Sequence, residues 1–205
     1  MKVLIIDDHV IVREGVRRLL APITDIVVSE ATTARDALPQ FRAVHPDVVL
    51  LDLNLPNGSG LEILRRLLSE DRAARVLVFT MHSEPLYVAR ALDAGARGYV
   101  TKSAAAAELI TAIQRVAAGG RYVEHEIASQ VVLSRRPGGD PFDQLTTREV
   151  DIMRLLGEGK SLVSIADALG VTYKTVANSC SVIKAKLGVE RAADLIRLAM
   201  EMREP

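Results

Sequence analysis

Asp7 and Asp8 close the run "VLIIDDH", where four aliphatic residues lead into two adjacent carboxylates and His9. Three further residues stand where similar apolar runs end. Asp52 closes "DVVLLDL" (47–53), Thr80 closes "VLVFT" and Lys102 follows "GYVT". In a parallel α/β sheet, sites form beyond the carboxyl ends of the strands, so three carboxylates, a hydroxyl and an ammonium meet at one edge. Carboxylates packed that closely are strained unless one is protonated or a cation joins them. Mg²⁺ suits them, because it takes oxygen ligands at about 2.0–2.1 Å, keeps waters, and binds one or two carboxylates together with a phosphate. Asp52 is then free to attack a phosphoryl group and hold it as an acyl phosphate. Phosphoryl transfer asks mainly for positioning and charge neutralisation, which Lys102 and the Thr80 hydroxyl supply along with the ion. Taken singly, each residue has an ordinary role as a cap, a turn residue or a solvated charge. His9 and His82 lack a third well-placed nitrogen ligand, which argues against zinc.

These residues need a sheet to bring them together. Apolar runs at 3–7, 25–31, 47–53, 75–81 and 96–102 alternate with helical spacings such as Val10, Val16, Leu19, Leu20 and Leu61, Leu64, Leu67, Leu68. Five short strands alternating with helices predict a parallel, doubly wound α/β domain over residues 1–120. Gly95, in "DAGARGY", stands where a helix stops and a strand begins. Residues 121–141 are expected to form a linker holding one short helix (Val123, Ile127 and Val131 at spacing four) and then "SRRPGGDP". From 142 to 205 the pattern is purely helical. Thr146 and Glu149 make a capping box, Ser161 and Thr172 cap two more helices, and "AADLIRLAMEM" is the fourth.

The acid-bearing strand ends and the helical tail together resemble the response-regulator receiver domain of two-component signalling. More narrowly, the whole chain resembles the NarL/FixJ subfamily with its LuxR-type helix-turn-helix. The resemblance rests on "LIIDDH", "DVVLLDLNLPNGSGLEIL", "VLVFTMH", "ALDAGARGYVTK" and "LTTREVDIMRLLGEGKSLVSIADALGVTYKTVAN". It implies a flavodoxin-like receiver with Asp52 as phosphoacceptor. Asp7 and Asp8 become the acidic pair, with Asp8 the closer Mg²⁺ ligand; the Asn54 backbone carbonyl completes the metal set, and Lys102 contacts phosphate. It implies too that Thr80 swings towards a new phosphoryl group and Tyr99 turns into the space it leaves. Asn54 and His82, two residues past Asp52 and Thr80, flank the phosphoryl group, where such positions tune its hydrolysis. A sensor histidine kinase, promoter DNA and a phosphorylation-driven homodimer are the implied partners.

In the helical domain, "GKSLVSIADALGVTYKTVANSCSVIKAKLG" (159–188) reads as helix, turn and second helix. Val176, Ile183 and Leu187 of the second helix face inward; Lys174, Thr175, Ala177, Asn178, Ser181 and Lys184 face a DNA groove or its phosphates. Charge gives little support: residues 140–205 hold nine Lys and Arg against ten Asp and Glu, while 171–188 hold three lysines and no acid. Ala177 and Ser179 stand where many relatives carry Lys and His, which weakens base reading there. On the last helix, part of the stripe Leu195, Leu198, Ala199 and Met202 is expected to close the small domain; the remainder of it, or the receiver helices "VREGVRRLL" and "AAELITAIQRVAA", are the expected dimer contacts.

The bulk composition excludes other classes. Lys+Arg and Asp+Glu balance at 26 each, so no global field draws the chain to nucleic acid or membrane. No apolar run approaches the ~20 residues of a membrane span. Cys180 is the single cysteine, which rules out an internal disulfide and suits a reducing cytoplasm; its place on the second helix fits a small buried hydrophobe. A small-molecule aspartyl-phosphate hydrolase is the rival enzyme reading. Such enzymes carry a second Asp two residues after the nucleophile; here that residue is Asn54, and no substrate cap is visible. A helical domain that binds protein instead of DNA is the other alternative.

Overall fold

Runs of four or five Val, Leu and Ile leave neither face of a strand fit for water, so helices must cover both sides. The computed structural model describes residues 1–55, 58–128 and 141–202, and the chain divides into two compact units, Met1–Val131 and Val132–Pro205. The first unit runs β1 (Lys2–Ile6), α1 (Val10–Leu20), β2 (Val27–Ala31), α2 (Ala34–Val44) and β3 (Val48–Leu51). A short antiparallel pair follows, β4 (Asn54–Leu55) with β5 (Gly58–Ser59). Then come α3 (Gly60–Glu70), β6 (Val76–Thr80), α4 (Pro85–Asp93), β7 (Gly98–Thr101), α5 (Ala106–Ala117) and β8 (Tyr122–Val123). The main sheet has the order β2-β1-β3-β6-β7-β8 with every neighbour parallel. Ile5, Leu50, Leu77 and Val100 pack on one face against Val16, Leu20 and the α5 residues Leu109, Ile113 and Val116. Leu4, Ile6, Val49 and Leu51 point to the other face by the two-residue alternation of strands and are equally buried.

Three details depart from the periodicity. β2 is an edge strand with Val27 exposed and only Ala31 buried, because it has a neighbour on one side only. Val10 opens α1 beyond the strand ends and is exposed; the packed stripe is Val12, Val16, Leu19 and Leu20. A sixth, two-residue strand, β8, extends the sheet where the start of a helix was expected; helix occupies 125–128. The rest of that expected helix and the 134–140 part of the linker lie outside the described residues.

The second unit holds a 3₁₀ turn (Pro141–Gln144), α6 (Thr147–Gly157), α7 (Leu162–Ala168), α8 (Tyr173–Leu187) and α9 (Ala192–Glu201). The caps fall on the expected residues. Thr146 and Glu149 form a reciprocal box, and Ser161 and Thr172 accept from Ser164 N and Thr175 N, each at 3.2 Å. Gly188 closes α8 at φ +67°, a left-handed position that favours glycine. Val150, Met153, Ile165, Val176, Ile183 and Leu195 fill the interior.

Candidate functional site

β1 and β3 are neighbours in the register Ile6↔Leu51, so the next residue on each, Asp7 and Asp52, leaves the sheet side by side. The Asp52 amide donates to Ile6 O at 2.9 Å and fixes that alignment. Both acids are buried, at 1% and 2% exposure, while Asp8 stays open. On the next two strands, Thr80 of β6 pairs with Thr101 of β7, and Lys102 follows. The Lys102 ammonium lies 2.6 Å from Asp52 Oδ2 and 2.7 Å from Asp7 Oδ2; the second contact lacks hydrogen-bond alignment. His9 Nδ1 stands 3.1 Å from Asp7, 3.0 Å from Asp8 and 3.9 Å from Asp52. Arg13, one helical turn on, donates to Asp7 O at 2.9 Å and to Glu30 at 2.7 Å, bracing the acidic loop from α1.

One ammonium therefore serves two buried carboxylates with a third beside them, and the edge attracts cations. The ligand atoms of Asp7, Asp8, His9 and Asp52 lie within 4.8 Å of one another. Most of these donors are carboxylate oxygens, the chemistry a hard divalent ion prefers. The donor set fits such an ion.

The remaining predicted residues form the rim. Thr80 is fully buried, and its hydroxyl has no hydrogen-bond partner among the described residues. Tyr99 lies inside the fold and donates its hydroxyl to His82 O at 3.0 Å. Burial, with the charges of Glu84, Asp52 and Glu124, holds its phenol well above the ordinary range. Asn54 is exposed; its amide N–H donates to Asp52 Oδ1 at 3.1 Å. His82 is buried, donates through Nε2 to Asn54 Oδ1 at 2.8 Å and stacks on Tyr87 at 4.0 Å. Sequence reasoning named Asn54 and His82 as flanking residues but missed their mutual bond and the parts of Tyr87, Arg13 and Glu30. Arg13 was legible as a cation one turn beyond the acids. Tyr87 and Glu30 left no local signal.

On α8, Lys174, Thr175, Asn178 and Ser181 are exposed, and Ala177 and Lys184 are half-buried. Val176 and Ile183 are fully buried and Leu187 half-buried, so the inward face is the expected one. Lys184 donates to Glu190 O at 3.1 Å and Ser181 to Ala177 O at 3.2 Å. The third lysine, Lys186, pairs with Glu149 at 2.6 Å and belongs to the packing of α8 on α6. Burial raises the Cys180 thiol, with Lys184 pulling the other way, so it is no activated thiolate.

An acid-lined parallel sheet and a helix-turn-helix unit in one chain make a two-part signalling regulator. Comparison with known proteins divides the chain in the same manner. Residues 3–114 match the response regulator receiver domain, and residues 143–199 match the bacterial regulatory proteins of the luxR family. The chain belongs to the response regulators built from these two domains. It is 37% identical to the transcriptional activator protein ExaE of Pseudomonas putida, over 98% of this chain and 96% of that one. It is 38% identical to the response regulator GacA of Pseudomonas aeruginosa, over 98% and 95%. Among solved structures, the Salmonella typhimurium RcsB response regulator superposes with a TM-score of 0.63 at 26% identity, covering 98% of each chain. A structure of two RcsB dimers bound to two parallel DNAs gives 0.62 at 25%, covering 100% of this chain and 99% of that one. Among the described residues no helix is long and apolar enough to cross a membrane.

Proposed function

We propose that Asp52 accepts a phosphoryl group from the phosphohistidine of a sensor histidine kinase, and that the phosphorylated chain pairs and binds promoter DNA through α8. The observation that carries this reading is the buried Asp52 carboxylate, 2.6 Å from the Lys102 ammonium. An Asp52 oxygen attacks phosphorus, the P–N bond to the donor imidazole breaks, and the imidazole leaves with that electron pair and takes up a proton. Asp52 attacks as a carboxylate, so no base need deprotonate it. Lys102 transfers its contact to a phosphoryl oxygen, and the unpaired Thr80 hydroxyl donates to another. Asp7, Asp8, Asp52 and the Asn54 carbonyl are the residues to hold Mg²⁺, which when bound neutralises phosphoryl charge.

The acyl phosphate adds charge and strong acceptors beside Thr80. Tyr99 already occupies the inward position, so the switch lies in how firmly that position is held; a preference of a few kcal/mol is enough. Asn54, held by His82, orients the water that later hydrolyses the acyl phosphate. The chain thus catalyses only its own phosphotransfer and dephosphorylation, in the cytoplasm. Lys174, Thr175 and Lys184 hold DNA phosphates, and Asn178 and Ser181 read base edges, with Ala177 close to the groove. Two exposed apolar pairs are available for dimerisation, Val10 with Ile11 on α1 and Ile196 with Met200 on α9.

Intact-protein mass spectrometry with acetyl phosphate and Mg²⁺ tests the phosphoacceptor: a gain of about 80 daltons, one phosphoryl unit, is expected for the wild type and none for Asp52→Asn. A wild type that never gains it defeats the reading. The net charge of −1 over residues 140–205 keeps protein-binding output as a second reading. Gel shifts across salt separate the two, since DNA binding strengthens as salt falls; no shift even at low salt favours the protein partner.

A further inference from the structure

A buried carboxylate unused by the chemistry above lies where the receiver unit hands over to the connecting segment. Glu124 is 9% exposed. One of its oxygens, Oε2, accepts the Thr101 amide at 2.8 Å and the Thr101 hydroxyl at 2.9 Å. That hydroxyl also meets Ser103 Oγ at 2.9 Å.

The backbone explains the arrangement. β8 pairs with β7 through Tyr122 N to Arg97 O and Glu124 N to Tyr99 O, each at 3.1 Å. The next rung of a parallel ladder would join Thr101 N to Glu124 O. The chain turns into helix instead, and Glu124 O accepts from Ala128 N at 2.9 Å. The Glu124 side chain replaces its own carbonyl and completes the ladder that its backbone abandons. A buried amide left without an acceptor is costly, so this substitution keeps the end of β7 in strand geometry. That end carries the machinery: Lys102 N donates to Thr80 O at 2.8 Å, and the Lys102 ammonium reaches Asp52.

Resting on the reading of Asp52 as phosphoacceptor, we propose that Glu124 is a positioning residue of the phosphoryl site. Its carboxylate fixes Thr101, and with it the strand end from which Lys102 reaches Asp52. The same bonds tie residues 122–128 to the occupancy of the site. Glu124 contacts no reacting atom and no metal donor, so it acts on how fast Asp52 is phosphorylated and leaves the affinity for Mg²⁺ alone.

The test uses the full-length chain, acetyl phosphate and a Mg²⁺ titration. Glu124→Ala is expected to lower the maximal phosphorylation rate roughly tenfold, less than the roughly hundredfold that a 1 Å misplacement can cost, with the half-saturating Mg²⁺ concentration unchanged. Glu124→Gln retains an oxygen for both Thr101 donors and is expected within about twofold of wild type. Thr101→Val keeps the amide and removes the hydroxyl; an intermediate loss of roughly threefold is expected, and it serves if the alanine variant does not fold. In hydrogen exchange, beryllofluoride is expected to change protection of residues 122–128 in the wild type and to leave it unchanged in Glu124→Ala, or in Thr101→Val where that variant stands in. Wild-type rates in Glu124→Ala and Thr101→Val overturn the proposal, as does an Mg²⁺ shift that accounts for the whole loss. An unphosphorylated wild type defeats the Asp52 reading and this inference with it; a phosphorylated wild type whose variants keep its rate defeats this inference alone.

Discussion

Lys102→Met removes the single ammonium that two buried carboxylates share. The Lys102 side chain is 6% exposed, those of Asp7 and Asp52 2% and 1%, and its contacts are 2.7 and 2.6 Å. With an effective dielectric constant near 20, each contact is worth about 6 kcal/mol of gross attraction, most of it offset by desolvation. Methionine fills the space and leaves the carboxylates facing each other. Their ligand oxygens lie within 4.8 Å, a repulsion of at least about 3.5 kcal/mol on the same scale. Removing one partner of a buried ion pair typically costs about 3–5 kcal/mol, and that loss is expected here in the absence of divalent ions. Urea titration in chelator, read by tyrosine fluorescence, reports mainly the right unit, because three of the four tyrosines, Tyr87, Tyr99 and Tyr122, lie in it and Tyr173 alone lies in the other. With a slope of about 2 kcal/mol per molar urea, the midpoint falls by roughly 2 M. Two recoveries follow from the same electrostatics. Mg²⁺ at about a hundred times its dissociation constant restores about 2.7 kcal/mol, and Asp52→Asn in the Lys102→Met background restores stability by deleting half of the repelling pair. A Lys102→Met chain within about 1 kcal/mol of wild type in chelator, or an added Asp52→Asn without recovery, refutes the reasoning.

Gly60→Ala places a Cβ 2.4 Å from both Asp52 O and Leu53 Cα, backbone atoms that cannot swing aside. A loss of about 1–3 kcal/mol and slower phosphorylation of the displaced Asp52 are expected, by thermal melting and mass spectrometry; unchanged melting contradicts the close approach. In the second unit, burial raises the Glu149 carboxyl, but the Lys186 ammonium and the Thr146 amide and hydroxyl outweigh it and leave it below its usual range. A depressed folded value means that the group's contribution is complete at neutral pH and fades as pH falls below about 4.5, the unperturbed value, and through the folded one. Glu149→Gln keeps the cap, loses the ion pair at a cost of about 1 kcal/mol, and flattens the pH dependence of unfolding below pH 5. A variant as acid-sensitive as the wild type contradicts the assignment.

Much of this protein follows from local rules. An apolar run too continuous for one wet face is a covered strand, and a polar residue at its end marks a site, so Asp7, Asp52, Thr80 and Lys102 were visible before any fold. Thr146 with Glu149, Ser161, Thr172 and Gly188 mark helix ends because capping involves residues three or four apart. Strand order is decided elsewhere: β2 looks like a core run and becomes an exposed edge, and Val10 fits a helical stripe yet lies beyond the sheet. The bonds that tune the site are longer still. Lys102 to Asp52 spans 50 residues, His82 to Asn54 28, and Thr101 to Glu124 23. Periodicity carries the direction in which a side chain leaves its own element and nothing about what stands opposite. Only the packed sheet brings Glu124 to the amide that its own backbone leaves behind.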